Sequence, residues 1–189
     1  MKKLAVALLA LLTPIAAAQD PSSSTFTENA QEYGNCFVGD QVDMFTDAVS
    51  HVLACSESTL TDKTTIMFMA FPVNGRYWPA VHISKGVQIN FEDSVEVAIR
   101  VDRGELLTGE WTAVGSGDAA CYPMPNPSTH CNLELFHRLL IDVANGERIA
   151  IRVGRESGNA LLEGSYEAVA DFLERVQDKI PTIILPIED

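Results

Sequence analysis

Basic residues are scarce in this chain. Its 189 residues contain 13 lysines and arginines against 26 aspartates and glutamates, so the formal net charge is −13 at pH 7. Proteins that bind nucleic acid or anionic membrane surfaces need clustered lysine and arginine side chains. The composition therefore argues against both classes of partner. Hydrophobic residues make up 47% of the chain, which provides enough apolar mass for the core of one ordinary domain.

Long apolar runs are missing after the first eighteen residues, so the sequence predicts no membrane-spanning segment in the processed protein. The first eighteen residues predict a Sec-type signal peptide of bacterial style. Two lysines follow the initial methionine, residues 4–12 are apolar, and small residues precede Gln19. We therefore expect cleavage near Ala18/Gln19 and a periplasmic or secreted product. A membrane anchor is the alternative, but the apolar run is short for one.

Catalytic signatures are missing as well. The chain has no GxSxG motif and no closely spaced cysteine pair that would hold zinc. Four residues could be drawn as a zinc site: Cys121, His130, Cys131 and His137. Their spacing fits no strong zinc template. Cys131 and His137 also lie six residues apart, which is poor geometry for a nucleophile and its base on one helix. The sequence thus predicts no catalytic residue, no metal ion and no cofactor.

Three aspartates cluster around the first expected turn of the domain. Asp40, Asp43 and Asp47 could supply oxygen ligands for Ca²⁺, which prefers several carboxylates. Their spacing is not that of an EF-hand, and aspartates are common in turns because they hydrogen-bond to the local backbone. Asp47, directly after Thr46, is the residue that we expect to fix the turn.

Two further groups have a functional and a structural interpretation. Glu105 and Glu110 could be drawn as the acid and base of a glycosidase, but such pairs are too frequent in an acidic chain to indicate one. Trp78 and Trp111, together with Tyr77, could stack on a sugar, although such residues more often fill a core or cap a sheet edge.

The four cysteines predict two disulfides. An even number of cysteines in an exported protein indicates a disulfide framework, but four cysteines allow three pairings. A turn centred at residues 45–46 would place Cys36 directly opposite Cys55, within bridging distance for a non-hydrogen-bonded strand pair. Cys121 and Cys131 would then close the loop between them. Two free buried thiols or a crossed pairing would be the other possible arrangements.

Apolar periodicity predicts a strand-rich domain. The segment from Ile66 to Phe71 is apolar on both faces, as in a central strand, whereas residues 95–101 alternate as a half-buried strand does. Two helical patterns follow, one from Asn132 to Gly146 and one from Ser165, the predicted N-cap, to before Pro181. This order predicts an α+β fold: a mainly antiparallel sheet of about seven or eight strands, with two helices packed on it and disulfides as staples.

The same patterns divide the chain into four parts. Residues 1–18 are the predicted signal peptide, and residues 19–35, which are polar and without periodicity, a flexible leader. Residues 36–181 form the predicted α+β domain, and residues 182–189 an apolar tail. The tail either adds an edge strand to its own sheet or pairs with another chain.

The most individual segment is the proline-rich loop between Cys121 and Cys131. Three prolines stiffen it and a disulfide would close it, so it would lose little entropy on binding a partner. It could instead be a long connection that is restrained for stability. As a recognition element the loop would use these residues: Tyr122, Pro123, Met124, Pro125, Asn126, Pro127 and His130.

The order of the later elements resembles that of two exported families. A strand ending in Val-Asp-Arg-Gly-Glu at residues 101–105 is followed by Trp111, a cysteine-bearing loop, a helix ending at Gly146, a strand and a closing helix. This order resembles the invasion-associated locus B family and the VasI-like periplasmic accessory proteins of type VI secretion. Both often carry cysteines in the strand that here spans residues 66–71 and near the last helix end, which this chain lacks. The resemblance implies an envelope protein of accessory or binding type, and it carries over no active site.

Three functions are compatible with these observations. The leading hypothesis is a non-enzymatic binding or accessory protein of the bacterial envelope, whose loop between Cys121 and Cys131 recognises a protein partner. The second is an acidic proteinaceous inhibitor of a basic hydrolase such as a lysozyme, steered to it by negative charge. The third is an uncharacterised hydrolase with carboxylate or Cys–His chemistry. The absence of a catalytic motif from the sequence favours the first hypothesis.

Overall fold

The computed structural model describes residues 25–58, 63–73, 76–84, 94–113, 118–121 and 133–179. The predicted signal peptide (1–18) and the C-terminal tail (182–189) lie outside these ranges. Within them, neither helix has the length and apolar character needed to cross a bilayer.

The described part of the chain forms one sheet of ten strands, in which all neighbours are antiparallel. The strands are β1 (Thr25–Tyr33), β2 (Cys36–Asp43), β3 (Val49–Ser58), β4 (Lys63–Val73), β5 (Arg76–Ser84), β6 (Ser94–Val101), β7 (Leu107–Ala113), β8 (Asp118–Cys121), β9 (Arg148–Val153) and β10 (Glu156–Leu161). The helices are α1 (Leu133–Asn145) and α2 (Ser165–Val176). The spatial order of the strands is β1-β2-β3-β4-β5-β8-β7-β6-β9-β10.

The sheet curls into a half-barrel around an apolar core. β1 to β5 form a meander, and β8 connects β5 to the second group of strands. The curl brings β10 close to β3 and β4. Alternation along each strand decides which side chains enter the core. Ile66, Phe68 and Ala70 of β4 are fully buried, whereas the residues between them are partly exposed on the opposite, outer face.

Both helices pack against the inner face of the sheet and against each other. The apolar residues that they bury are Phe136, Leu139, Leu140 and Val143 of α1, and Ala168, Val169, Phe172 and Val176 of α2. Phe136 meets Phe68 of β4 edge to face, with 5.7 Å between the ring centroids. The predicted mainly antiparallel sheet with two helices is thus confirmed. Leu133, the first residue of α1, is exposed.

The strand count is higher than the seven or eight that the sequence predicts. The strands without a clear sequence pattern are β1, β8 and β10. β8 has only four residues, and β10 contains Gly158 and Asn159, residue types that are depleted in strands. Pairing with β9 and the burial of Ala160 place β10 in the sheet in spite of this composition.

The predicted flexible leader (19–35) is wrong from Thr25 onward, because Thr25–Tyr33 forms the edge strand β1. β1 pairs with β2 along its length, apart from an irregularity between Glu28 and Gln31. Only one side of an edge strand is paired, so its side chains can stay polar and show no apolar period. This polarity explains why the sequence pattern resembles that of an unstructured segment.

The disulfide predicted from strand register is confirmed. Cys36 of β2 faces Cys55 of β3, with 4.0 Å between their Cα atoms, and the two sulfurs are bonded. The Ser56 amide donates to the Asn35 carbonyl across this pair, as expected next to a non-hydrogen-bonded position. Cys121 is also disulfide-bonded. Cys131 lies outside the described residues, so the pairing of Cys121 with Cys131 stays a prediction.

The start of α2 differs by one residue from the prediction. Gly164, not Ser165, is the N-cap, and no side chain caps the helix. Gly164 has a φ of 79°, and a β-carbon there would lie 2.3 Å from the Tyr33 carbonyl oxygen. Only glycine fits this close approach, and Ser165 is consequently the first helical residue and is buried.

Candidate functional site

A groove of about 690 Å³ crosses the outer face of the sheet, on the side opposite the helices. It runs over parts of β2, β3, β4, β5 and β8, near the end of the sheet where β2 turns into β3. Gln41, Asp43 and Ser50 line it on β2 and β3, and His82 lines it on β5. The groove is therefore built on paired strands of the central sheet.

Alternation along β4 supplies the apolar wall of this groove. Met67, Met69 and Phe71 lie between the buried residues of β4, so they point to the outer face, where each is partly exposed. The floor consists of small side chains, including Ala80 of β5 and Ala120 of β8, and their size leaves the space open. Methionine side chains are flexible and polarisable, which suits them to apolar ligands of irregular shape.

Two exposed apolar residues lie in the chain between Asp43 and Thr46, which both line the groove. Met44 and Phe45, at the tip of the β2–β3 hairpin, are 61% and 86% exposed. Asp43 holds this tip, because its Oδ1 accepts hydrogen bonds of 2.9 Å from the backbone amides of Phe45 and Thr46. These two hydrogen bonds lower the pKa of Asp43. The tip is therefore ordered before any partner arrives.

The predicted recognition loop begins beside the groove. Cys121 ends β8 and pairs with Val81 of β5, and the preceding residue, Ala120, lines the groove. The residues of the loop that carry the recognition hypothesis lie outside the described residues: Tyr122, Pro123, Met124, Pro125, Asn126, Pro127 and His130. Their contribution to a site stays a prediction, although the chain enters the loop at the groove.

A polar network lies on the inner face at the same end of the sheet. It consists of Asp40 of β2, His51 of β3, Tyr77 of β5, Arg175 of α2, and Lys179 in the turn that follows α2, and we call it the His51 network. His51 is only 5% exposed. Its Nδ1 lies 2.8 Å from Asp40 Oδ1, and its Nε2 lies 2.8 Å from Lys179 Nζ. Each ring nitrogen therefore has one partner.

Further contacts complete the His51 network. The Tyr77 ring stacks on His51 with 5.7 Å between centroids, and its hydroxyl donates to the Val49 carbonyl. Burial alone would raise the pKa of Asp40, but hydrogen bonds from Asn29 and His51, with the positive charges of the network, outweigh it and lower this pKa. The groups join β1, β2, β3, β5 and α2.

The structure does not bring the aspartates of the proposed calcium site together. Asp40 faces His51 on the inner side, whereas the carboxylate of Asp43 is engaged by the hairpin tip. Asp47 contributes a left-handed backbone conformation, with a φ of 55°. Asp43 therefore holds the turn through its carboxylate, whereas Asp47 contributes through its backbone, whose amide donates to the Asp43 carbonyl at 2.9 Å. Among the described residues, no group of His, Cys, Asp or Glu side chains is arranged to hold a metal ion.

The residues of the glycosidase and sugar-stacking interpretations are also dispersed. Glu105 pairs with Arg138 of α1 at 2.7 Å, and Glu110 lies exposed on β7. Trp111 is buried in the core, so it presents no face to a sugar. The core interpretation of Trp111 is thus confirmed.

His137, considered in the zinc and Cys–His interpretations, lies on α1. Its Nε2 is buried without a hydrogen-bond partner, and burial lowers its pKa. Cys121 is in a disulfide, so its sulfur is not a thiolate ligand. His130 and Cys131 lie outside the described residues.

The groove and the His51 network are sites that the sequence patterns do not predict. Both depend on register between strands far apart in the chain, such as the pairing of Met67 with His82 and of Asp40 with His51. The one available signal is the run Met67-Phe68-Met69, in which large apolar side chains alternate on both faces of a central strand. Comparison of the chain with protein-family models, curated proteins and solved structures finds no match.

Proposed function

We propose that this chain is an exported, non-enzymatic binding or accessory protein of the bacterial envelope. It captures a protein partner with the outer groove, the Met44–Phe45 tip and the loop that begins after Cys121. The observation that carries the proposal is the position of a nearly fully exposed phenylalanine beside an apolar groove. Exposed apolar groups next to a concave apolar surface are typical of protein interaction sites.

The ordering of the site supports binding rather than turnover. The tip is held by Asp43, the hairpin is bridged by Cys36–Cys55, and the groove lies on paired strands. A surface that is rigid before association loses little conformational entropy when it binds. The resemblance to the accessory families belongs to the same proposal, as does export, since disulfides form in oxidising compartments.

Site-specific crosslinking in cells of the natural host tests this proposal. A photo-crosslinking phenylalanine analogue at position 45 should give one dominant protein adduct. The same analogue at Leu106, an exposed apolar residue between β6 and β7, is the matched control and should give none. Met69→Glu should weaken the adduct at position 45 at least tenfold, because a buried carboxylate in an apolar interface costs more than about 1.4 kcal/mol. Equal labelling at both positions would refute the proposal.

The role of the loop has its own test. Deletion of Pro123 to Pro127 should abolish the adduct at position 45 and leave the melting temperature of the domain nearly unchanged. An adduct of undiminished yield would show that the groove and tip act without the loop. The groove would then be the binding element by itself.

The inhibitor hypothesis has one specific observation in its favour. A second groove, of about 750 Å³, lies between β1 and α2 and is lined by Tyr33, Tyr166, Glu167, Asp171 and Glu174, among others. Tyr166 is 64% exposed, and exposed carboxylates beside tyrosines suit a cationic protein surface. Inhibition of a lysozyme that weakens with salt and with Glu167→Gln would support this second function. No inhibition across a lysozyme panel would exclude it.

A further inference from the structure

We infer that His51 is an acid-sensitive latch, which holds residues 177–179, the turn that follows α2, on the sheet while its imidazole is neutral and releases this turn when the imidazole is protonated. The latch is independent of the proposed binding function. It rests on the two contacts of the imidazole, on the groups around them, and on the partial exposure of Lys179, which lets that side chain move into water.

The contacts define the protonation state of His51 in this structure. A carboxylate can only accept, so Nδ1 carries the hydrogen that is donated to Asp40 Oδ1 at 2.8 Å. An ammonium group can only donate, so Nε2 offers its lone pair to Lys179 Nζ at 2.8 Å. The arrangement is therefore satisfied by the neutral imidazole with its hydrogen on Nδ1.

A second proton destroys one of these contacts and keeps the other. With a hydrogen on Nε2, the imidazolium and the ammonium are both donors and both positively charged, at a separation of 2.8 Å. Lys179 must then leave. The contact between Nδ1 and Asp40 remains and gains strength, because both partners are now charged.

The groups around His51 either favour or oppose its protonated form. Asp40 on β2 and the Tyr77 ring on β5 favour the imidazolium, whereas Lys179 and Arg175 from the α2 end oppose it. Asn29 on β1 donates to Asp40 at 3.0 Å, and the pKa of Asp40 lies below its ordinary value. Asp40 therefore stays ionised in the range of about pH 5–8 where imidazoles ordinarily titrate.

The release is confined to the turn after α2. Arg175 is anchored by its Nε and a terminal nitrogen to Asp171, at 2.8 and 3.0 Å, and by its other terminal nitrogen to the Asn29 carbonyl. None of these contacts involves His51. Lys179, by contrast, reaches the sheet at His51 and over the Tyr77 ring, 5.8 Å from its centroid, and its other hydrogen bonds go to the carbonyls of Val176 and Arg175. Loss of the His51 contact therefore frees residues 177–179 and leaves α2 docked.

Hydrogen exchange on the full chain tests the latch. Amide protection over residues 177–179, corrected for the intrinsic rate, should fall about fivefold or more between pH 7.5 and pH 5.5. The glutamine of His51→Gln can donate to Asp40 and accept from Lys179 but cannot titrate. The fall in protection between the two pH values, which we call the step, should therefore disappear. Lys179→Gln should also remove the step, because its amide can pair with either form of the imidazole. The control His137→Gln, on α1, should keep it.

Two results would overturn the latch. One is equal protection of the wild type at both pH values, and the other is an undiminished step in His51→Gln. A nitrogen NMR measurement on the wild type provides a readout that needs no variant. At pH 7.5 it should show the His51 hydrogen on Nδ1 and a bare Nε2, and the opposite tautomer would contradict the latch even if a variant failed to fold.

Discussion

At the residue scale, two glycines set how closely the β1–β2 turn approaches the start of α2. Gly34 and Gly164 both have a positive φ, of 57° and 79°. A β-carbon at Gly34 would lie 2.5 Å from the Glu163 carbonyl oxygen, and one at Gly164 would lie 2.3 Å from that of Tyr33. The Asn35 amide donates to the Glu163 carbonyl at 2.9 Å in the same crossing. The two turns are therefore in direct backbone contact.

The Gly164→Ala variant tests this backbone contact between the two turns. Backbone strain alone should lower the free energy of unfolding by about 1–3 kcal/mol, and the clash with Tyr33 adds to it. Chemical denaturation measures the change. The control Glu163→Ala removes an exposed side chain next to it and should stay within about 0.5 kcal/mol of the wild type. Equal stability of Gly164→Ala and the control would show that the turns can separate without cost.

Asp43 links stability to pH. Its pKa is lowered in the folded state, so in acid the unfolded chain binds this proton before the folded protein does. The contribution of Asp43 is therefore complete above its ordinary pKa of 3.8 and is lost as the pH falls toward the lowered value. Asp43→Asn keeps a carbonyl acceptor for the hairpin tip but cannot titrate. Its free energy of unfolding should fall less steeply below about pH 4 than that of the wild type, and parallel curves would contradict this linkage.

At the element scale, the β2–β3 hairpin is the best-restrained unit of the domain. The Cys36–Cys55 bridge closes one end, and Asp43 holds the tip at the other. Seven register pairs, the bridged cysteine pair included, run along the hairpin without interruption. The groove, the Met44–Phe45 tip and the His51 network all include residues of this hairpin.

Removal of the bridge should be costly. The double variant Cys36→Ala, Cys55→Ala opens a loop with a sequence separation of 19. Its free energy of unfolding should fall by about 3 kcal/mol. Denaturation of the double variant with and without a reducing agent then isolates the contribution of the disulfide at Cys121. A loss of less than about 1 kcal/mol would mean that strand pairing alone restrains the hairpin.

At the scale of the whole molecule, both halves of the curled sheet and α1 contribute side chains to one apolar core. Phe136 lies in the middle of the core and touches Phe68 of β4, while α1 also packs on α2 and β5. The second half of the sheet contributes Ile99, Ile149 and Ile151 to the same core. The described part of the chain therefore has one shared apolar interior.

Phe136→Ala should accordingly weaken the whole domain. Large-to-small changes of a fully buried phenylalanine cost about 3–5 kcal/mol. Unfolding followed by circular dichroism and by tryptophan fluorescence should give one coincident transition at lower denaturant. The control Leu133→Ala, at the exposed start of α1, should cost less than about 1 kcal/mol. Separate transitions would show that the halves of the sheet have independent cores.

Local sequence patterns predict the parts of this fold that depend on local physics. The bounds of α1 follow from the period of Phe136, Leu140 and Val143 and from Gly146. The pairing of Cys36 with Cys55 follows from a single short turn, because register in a hairpin propagates residue by residue. In both cases the deciding interactions lie between residues that are close along the chain.

The remainder depends on contacts between distant segments. β1 is polar and resembles a loop until β2 and α2 are placed beside it. Gly164 serves as the N-cap because the backbone of Tyr33 lies against it. The sequence around Ser165 does not indicate this contact. The groove and the His51 network likewise arise from pairs such as Met67 and His82, so they become visible only in three dimensions.

The first strand is fastened by the last helix. Tyr33 donates to Asp171, and Arg175 donates to the Asn29 carbonyl, so β1 is secured by side chains that are synthesised much later, at sequence separations of 138 and 146. A nascent chain cannot finish folding until Arg175 has emerged, whatever order its other strands take. The same hydrogen bonds bring β1 and the end of α2 together. Joining these two elements with a short linker and opening the chain at another loop should therefore yield a circular permutant of this fold.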